Sequence, residues 1–555
     1  MPPEIQRTAT LRAEIDRTAD LLDSVRFDLG VVDQVARRKT AVQGATIARK
    51  YLQPRLRNLD APLLVVVFGP TGAGKYTIVN SLAGTTVSEP GALRPTTRRP
   101  VIWCHRRNEI RAAAVAGDPV IVTDDHPLLD GLTIVDTPDL DSYVAEHKEI
   151  AESVLTMADA ALFVTTPQRY ADAVPWEVVE DLVDRSMPLV VIANRLSRRS
   201  SGAVADLTAL LRSNGVPDAR TDLIIQIQEH RLKSDGRLPK AAIERVRSEI
   251  EGLVERRTNV IDQTVSGALQ AVAVAARSTA AAIDRQATEG EGLWDAALSA
   301  FESQAEEVAL HLDRGDLVRT EVVTRWQRML GVTDLASIIS RGWARLRDVL
   351  GGGDPVEADA VARVGSEARD ELVGLVTMRA QRAITAAVTA WEIEPAARGL
   401  ITEELRKVGD TLVGEAEHQV DEWLAGIVDL IHDQGRGRYR LARLASVGIN
   451  GAATLLLLGI FASTAGITGT EVGVAAGAAA AQQTVLEHLF GSAAATSLAK
   501  QARGDLATRL GGVLVSEASR FHQAIEAATD SIDTGEALVR SAQALSDAAE
   551  ELGYA

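Results

Sequence analysis

Leu63-Leu64-Val65-Val66-Val67-Phe68-Gly69-Pro70-Thr71-Gly72-Ala73-Gly74-Lys75-Tyr76-Thr77-Ile78-Val79 is the stretch on which the fold turns. Six apolar residues, half of them β-branched, read as a buried strand, and a helical stretch follows the complete G-x-x-x-x-G-K run. A glycine-rich loop between a strand and a helix aims successive backbone N–H groups and a helix N-terminus at one spot, and that spot binds phosphate. Gly69, Pro70, Thr71, Gly72, Ala73 and Gly74 would form the cradle. Lys75 would reach the β- and γ-phosphates as a point charge, with Tyr76 and Thr77 at the start of the helix. The bland alternative is a tight glycine turn with no ligand.

Position 76 breaks the pattern. Serine or threonine there would put a small hydroxyl on Mg²⁺, and a phenol cannot place its oxygen at that point without moving the loop. Thr77 is next in line, but sliding the register to use it would displace Lys75. Either the metal is held differently or turnover is weakened.

Further along, Leu132 to Val135, Ala161 to Val164, Leu189 to Ile192 and Leu223 to Ile227 are short apolar runs between helical stretches. They predict a mostly parallel sheet with helices on both faces. Sixteen of the 18 prolines lie between Pro2 and Pro239, which leaves the remainder free to sustain long helices. Leu11, Ile15, Thr18, Leu22, Val25, Leu29, Val32 and Ala36 recur at 4-3 spacing, and Leu510, Leu514, Phe521, Ile525 and Ile532 at 4-7 spacing. Both ends read as bundle helices, with the α/β domain inserted between them. Separate amphipathic helices on a compact core are the alternative.

The 555 residues carry 59 basic and 76 acidic side chains, a net charge of −17, which argues against a generalised nucleic-acid binder. A single cysteine, Cys104, excludes a disulfide framework and fits a reducing cytoplasm. The N-terminus has no apolar signal segment. Only 7 Phe, 6 Tyr and 7 Trp in an Ala- and Leu-rich chain lean toward packed helices.

Three more motifs complete a nucleotide site. Asp136-Thr137-Pro138-Asp139 follows the Leu132 strand, Asn194-Arg195-Leu196-Ser197 follows the Leu189 strand, and Arg94-Pro95-Thr96-Thr97-Arg98-Arg99-Pro100 lies between the first two. Thr97 to Pro100 resembles the T-R-R-P switch of dynamin-family GTPases. The likeness extends to the P-loop and to the Asp136 and Asn194 motifs, covering roughly residues 60 to 230. It implies an α/β P-loop GTPase domain joined to an elongated α-helical bundle or stalk that assembles on membranes. It implies GTP or GDP with Mg²⁺ as ligands. Lys75, Thr97 and Asp136 would form the catalytic set, with Thr97 and Asp136 organising the metal directly or through water.

Besides Tyr76, the chain departs from the family at two positions. Asp139 stands where glycine offers its N–H to the γ-phosphate, so its carboxylate must be aimed away or onto metal or water. Ser197 stands where aspartate reads guanine, leaving Asn194 and Arg195 to hold the base. Arg94, Arg98 or Arg99 could supply transition-state charge, or simply form a solvated basic loop. Arg169, Tyr170 and Asp172 could border the nucleotide, or start a helix.

From Leu444 to Thr470 no residue is charged, and after Glu471 another uncharged run reaches Leu486. About 20 residues suffice to span the hydrocarbon core. Arg436, Arg438, Arg440 and Arg443 precede the run, and each basic residue near an anionic surface contributes ~1 kcal/mol. With Leu455, Leu456, Leu457, Leu458, Ile460 and Phe461 they read as a membrane-touching hairpin; an Ala/Gly-rich hairpin buried in the bundle is the alternative.

The expected division is 1–58 as an N-terminal helix packing with the C-terminal bundle, 59–239 as the GTPase domain and 240–435 as helical stalk. The hairpin is 436–490 and the returning helices 491–555. The expected partners are the chain itself, as a nucleotide-dependent dimer or higher oligomer or with a paired dynamin-like protein, and anionic lipid, with no nucleic acid. The expected place is the cytoplasm, peripheral to or inserted at the inner face of the cell membrane. The competing functions are a nucleotide-binding scaffold with weak hydrolysis and a soluble Era-type regulatory GTPase.

Overall fold

The computed structural model describes residues 3–27, 29, 34–88, 99–112, 115, 117–139, 145–197, 201–216, 224–314, 355–434, 492–529 and 532–554. Its sheet contains β1 (Leu63–Phe68), β2 (Val101–His105), β3 (Val120–Asp124), β4 (Leu132–Asp136), β5 (Ala160–Thr165), β6 (Leu189–Leu196) and β7 (Ile225–Gln228). The order is β3-β2-β4-β1-β5-β6-β7. β4, β1, β5, β6 and β7 are mutually parallel, while β2 runs antiparallel to β4 and carries β3 parallel beside it.

Alternation along the strands explains why the runs are apolar throughout. Val65 and Val67 of β1 join one core with Ile134, Leu162, Val164 and Ile192. Val66 and Phe68 join the other with Val135, Ala161, Phe163 and Val191. A strand covered on both faces has no polar side to show. The apolar runs of the sequence predict β1, β4, β5, β6 and β7 but not β2 and β3. β2 is a five-residue run ending in Cys104 and His105, and β3 is an edge strand whose residues are all at least partly exposed, so neither looks like a buried run.

The helices are α1 (Pro3–Ser24), α2 (Gln34–Ile47), α3 (Gln53–Arg57), α4 (Lys75–Ala83), α5 (Glu109–Ala112), α6 (Ala145–Thr156), α7 (Ala173–Asp184) and α8 (Ser201–Ser213). They continue with α9 (Lys240–Glu255), α10 (Arg257–Arg314), α11 (Pro355–Glu392), α12 (Leu412–Gln434), α13 (Ser492–Glu517), α14 (Ser519–Ala528) and α15 (Ile532–Glu550). The long N-terminal seam is shorter than its spacing suggests. It ends at Ser24, whose hydroxyl turns back to the Leu21 carbonyl at 2.7 Å.

The chain folds as two compact units. One comprises Met1–Phe27, Val35–Arg285 and Asp530–Ala555; the other comprises Asp28–Gln34 and Gln286–Thr529. In the first, Leu11, Ile15, Ala19 and Leu22 of α1 share a core with Leu538, Ala542 and Leu545 of α15, and Thr18 Oγ1 lies 2.7 Å from Ser541 Oγ. The same unit ties its helices to the sheet through Asp159, just before β5. Its carboxylate accepts from Arg55 of α3, from the Leu64 N–H at 2.8 Å and from the Tyr51 hydroxyl at 3.1 Å. Its carbonyl accepts from Thr264 of α10 at 3.0 Å. In the second unit, Phe301, Trp391 and Phe521 meet edge to face, and Trp391 Nε1 donates to the Leu293 carbonyl at 2.9 Å.

No helix among the described residues is long and apolar enough to cross a membrane. The expected hairpin, with Arg436, Arg438, Arg440, Arg443 and Leu455 to Phe461, lies outside the described residues.

Candidate nucleotide site

The Gly69–Gly74 loop leaves the carboxyl end of β1, between β4 and β5. This is where parallel α/β sheets place ligands. Backbone geometry demands its glycines. Gly69 has φ 147° and a Cβ there would sit 2.0 Å from the Val164 carbonyl oxygen, while Gly74 has φ 96° and its Cβ would meet Asn194 Nδ2 at 2.6 Å. Gly74 caps α4, so Lys75 is the first helical residue. Lys75 is buried, and its ammonium donates to the Gly69 carbonyl at 3.0 Å, to the Pro70 carbonyl at 3.4 Å and to the Asp139 carboxylate. Asp139, expected to turn away or onto metal or water, instead meets Lys75.

Tyr76 is partly buried, and Thr77 is buried with no hydrogen-bond partner for its hydroxyl among the described residues. Asp136, at the end of β4, is also buried. Oδ2 accepts from Ser88 Oγ at 2.8 Å, and Oδ1 has no partner among the described residues. Burial pushes this carboxyl up to about 6, against the pull of Lys75 and the Ser88 hydrogen bond. An ionised carboxylate with one buried oxygen open, an unpartnered hydroxyl and an ammonium beside a glycine cradle suit a phosphate with its cation. The poor fit is position 76, where no small hydroxyl exists.

Ser88 and Asn80 were not singled out from the sequence. Asn80 Oδ1 accepts from the Val87 and Ser88 N–H groups at 2.7 and 2.9 Å, and its amide donates to the Ser88 carbonyl at 2.7 Å. This fixes Ser88 against Asp136. The one available signal was an amide inside the apolar helix Ile78-Val79-Asn80-Ser81-Leu82.

Asn194 reaches the loop because β6 is irregular. Ala193 pairs with Gln226 but Leu196 with Gln228, so β6 carries one extra residue, and Arg195 has φ 57°. A bulge of this kind re-aims side chains. Asn194 Nδ2 donates to the Ala73 carbonyl at 2.8 Å and Oδ1 accepts from the Arg195 N–H at 2.9 Å, while Arg195 lies exposed beside Gly74. Arg169 pairs with Asp172 at 2.9 Å, the Tyr170 hydroxyl donates to Asp206 at 3.1 Å, and Arg99 pairs with Asp118 at 2.7 Å. Thr97, Arg94 and Arg98 lie outside the described residues.

No family model matches the chain. GTPase Der of Thermosynechococcus vestitus is 31% identical over 145 residues, which are 25% of this chain and 28% of Der. The probable transmembrane GTPase FZO-like, chloroplastic, of Arabidopsis thaliana is 26% identical over 115 residues, 20% of this chain and 12% of that protein. The chain thus spans well under half the length of these curated relatives. Among solved structures, an oligomerised bacterial dynamin pair, linked to long-range sensing and tethering of membranes, aligns over 94% of this chain and 96% of its own at 11% identity, with a TM-score of 0.36. The chain carries a glycine-rich loop at the carboxyl edge of a mostly parallel sheet together with a large helical part, and a quarter of it is similar to GTPase Der.

Proposed function

We propose that this chain is a dynamin-like GTPase that binds and hydrolyses GTP, and that its nucleotide-dependent self-association acts on membranes in remodelling, fusion or maintenance. The observation that carries this reading is the convergence of Lys75, Asp136 and Asn194 on the Gly69–Gly74 loop at the carboxyl edge of the sheet. Loop N–H groups and Lys75 would hold phosphate, Asn194 and Arg195 would border the base, and Asp136, together with Thr97 outside the described residues, would hold the metal. Mg²⁺, when bound, neutralises charge on the phosphate oxygens. The membrane part is supported by the arginines at 436–443 beside an uncharged run and by the similarity of 115 residues to a probable transmembrane GTPase.

Calorimetric titration with GTP, GDP and ATP, each with and without Mg²⁺, tests the core of this proposal. Guanine nucleotides are expected to bind and ATP to bind much more weakly; equal binding of all three removes guanine selectivity. Flotation on anionic liposomes tests the membrane part, which is wrong if the full chain and a chain lacking 436–486 float equally poorly.

Two specific observations favour other readings. Tyr76 in the P-loop favours a scaffold that binds nucleotide and hardly turns it over, in which case Tyr76→Ser should raise multi-turnover phosphate release. The likeness to Der favours a soluble regulatory GTPase of the Era type. That reading predicts recovery wholly in the soluble fraction and an oligomeric state indifferent to nucleotide.

A further inference from the structure

Lys75 has three N–H donors, and three acceptors surround it: the carbonyls of Gly69 and Pro70 and the carboxylate of Asp139. Lysine and carboxylate are both almost fully buried. The two carbonyls belong to the cradle, so a phosphate oxygen can take a place on Lys75 only where the carboxylate now sits. Asp139 offers the ammonium what a phosphate would, an anionic oxygen at hydrogen-bonding range. Its second oxygen, Oδ2, is buried without a partner among the described residues, so nothing else there anchors the carboxylate.

We infer that Asp139 is a specificity-determining residue that stands in for the terminal phosphate and sets the balance between nucleoside triphosphate and diphosphate. The inference rests on the nucleotide-binding reading of the loop. A diphosphate is held by the loop N–H groups and leaves the Asp139 carboxylate on Lys75. A triphosphate brings its terminal anionic group to the Lys75 position, and there it meets the Asp139 carboxylate. Two like charges at that distance repel in a buried site, so Asp139 must leave Lys75 before a triphosphate seats fully. The residue therefore penalises triphosphate more than diphosphate, and it also neutralises Lys75 while the site is empty.

The test uses the full chain with Asp139→Asn, Asp139→Gly and Asp139→Glu. Affinity for GDP and for a non-hydrolysable GTP analogue is read by calorimetry, and the melting temperature is read without nucleotide. Removing the carboxylate should tighten the triphosphate analogue by about tenfold or more and GDP by less than about threefold, consistent with like-charge repulsion at close range. Melting without nucleotide should fall, because Lys75 loses its partner. Asp139→Glu, which keeps the charge, should retain the wild-type ratio. A residue with a purely structural role would lower both stability and affinity, so opposite signs distinguish the two. Equal changes for both nucleotides, or none, overturn the inference while leaving nucleotide binding intact. If neither the wild type nor any variant binds nucleotide, the reading of the loop fails and this inference fails with it.

Discussion

Asp136 has two carboxylate oxygens in different company. One is held by Ser88, itself held by Asn80, and the other has no partner among the described residues. With tyrosine at 76, Ser88 is the hydroxyl that orients this carboxylate. Ser88→Ala should reduce the gain in nucleotide affinity that Mg²⁺ confers by about tenfold, the scale of a lost charge-assisted hydrogen bond, and leave metal-free binding unchanged. Calorimetry with and without EDTA checks this, and Ser88→Thr should restore the gain.

The carboxyl's pH behaviour has a definite sign. Folded Asp136 keeps its proton up to about pH 6, whereas an unfolded aspartate releases it near 4. Between those values the folded chain binds more protons, so this group's contribution to stability falls as pH rises through that window. A cation selects the ionised form. Binding of Mg²⁺ with nucleotide should therefore release protons near pH 6 and weaken below it. Calorimetry in two buffers of different ionisation enthalpy measures that release.

At the scale of elements, the P-loop, β1 and the runs that became β4, β5, β6 and β7 were legible because each is a local pattern: an apolar run beside a turn signature. What was not legible depends on partners far along the chain. Asp139 looks like a capping or metal-facing residue until β4 is beside β1, where it meets Lys75. The β6 bulge that turns Asn194 toward Ala73 is a mismatch between two strands, invisible in either one. Asp159 is similar, an ordinary aspartate in sequence and in the structure the buried junction of α3, β1 and α10. Asp159→Ala leaves Arg55 buried without its counter-charge, still bonded to the Ala61 and Pro62 carbonyls, and should cost about 3–5 kcal/mol. Chemical denaturation reads this directly, and a loss below about 1 kcal/mol would show that water or rearrangement satisfies Arg55.

At the scale of the molecule, the unit that holds the sheet and the Gly69–Gly74 loop is assembled from three stretches of chain, and α15 completes the core begun by α1. Removing residues 530–555 uncovers Leu11, Ile15 and Leu22. Burial of each such side chain contributes about 1.5–3 kcal/mol. The summed loss rivals the roughly 5–15 kcal/mol stability of a typical folded unit. The truncated chain should bind a hydrophobic dye and lose its cooperative melting transition; an unchanged transition would show that α15 is dispensable.

The pairing of α1 with α15 also imposes a schedule. Thr18 and Ser541 are 523 positions apart in the chain. At ribosomal speeds of about 5–20 residues per second, roughly half a minute to two minutes pass between their synthesis. For that time the α1 face has no partner from α15, although the strands and P-loop of the same unit are already made. Until α15 is made, a nascent chain holds a finished Gly69–Gly74 loop beside an apolar α1 seam that has yet to meet its partner.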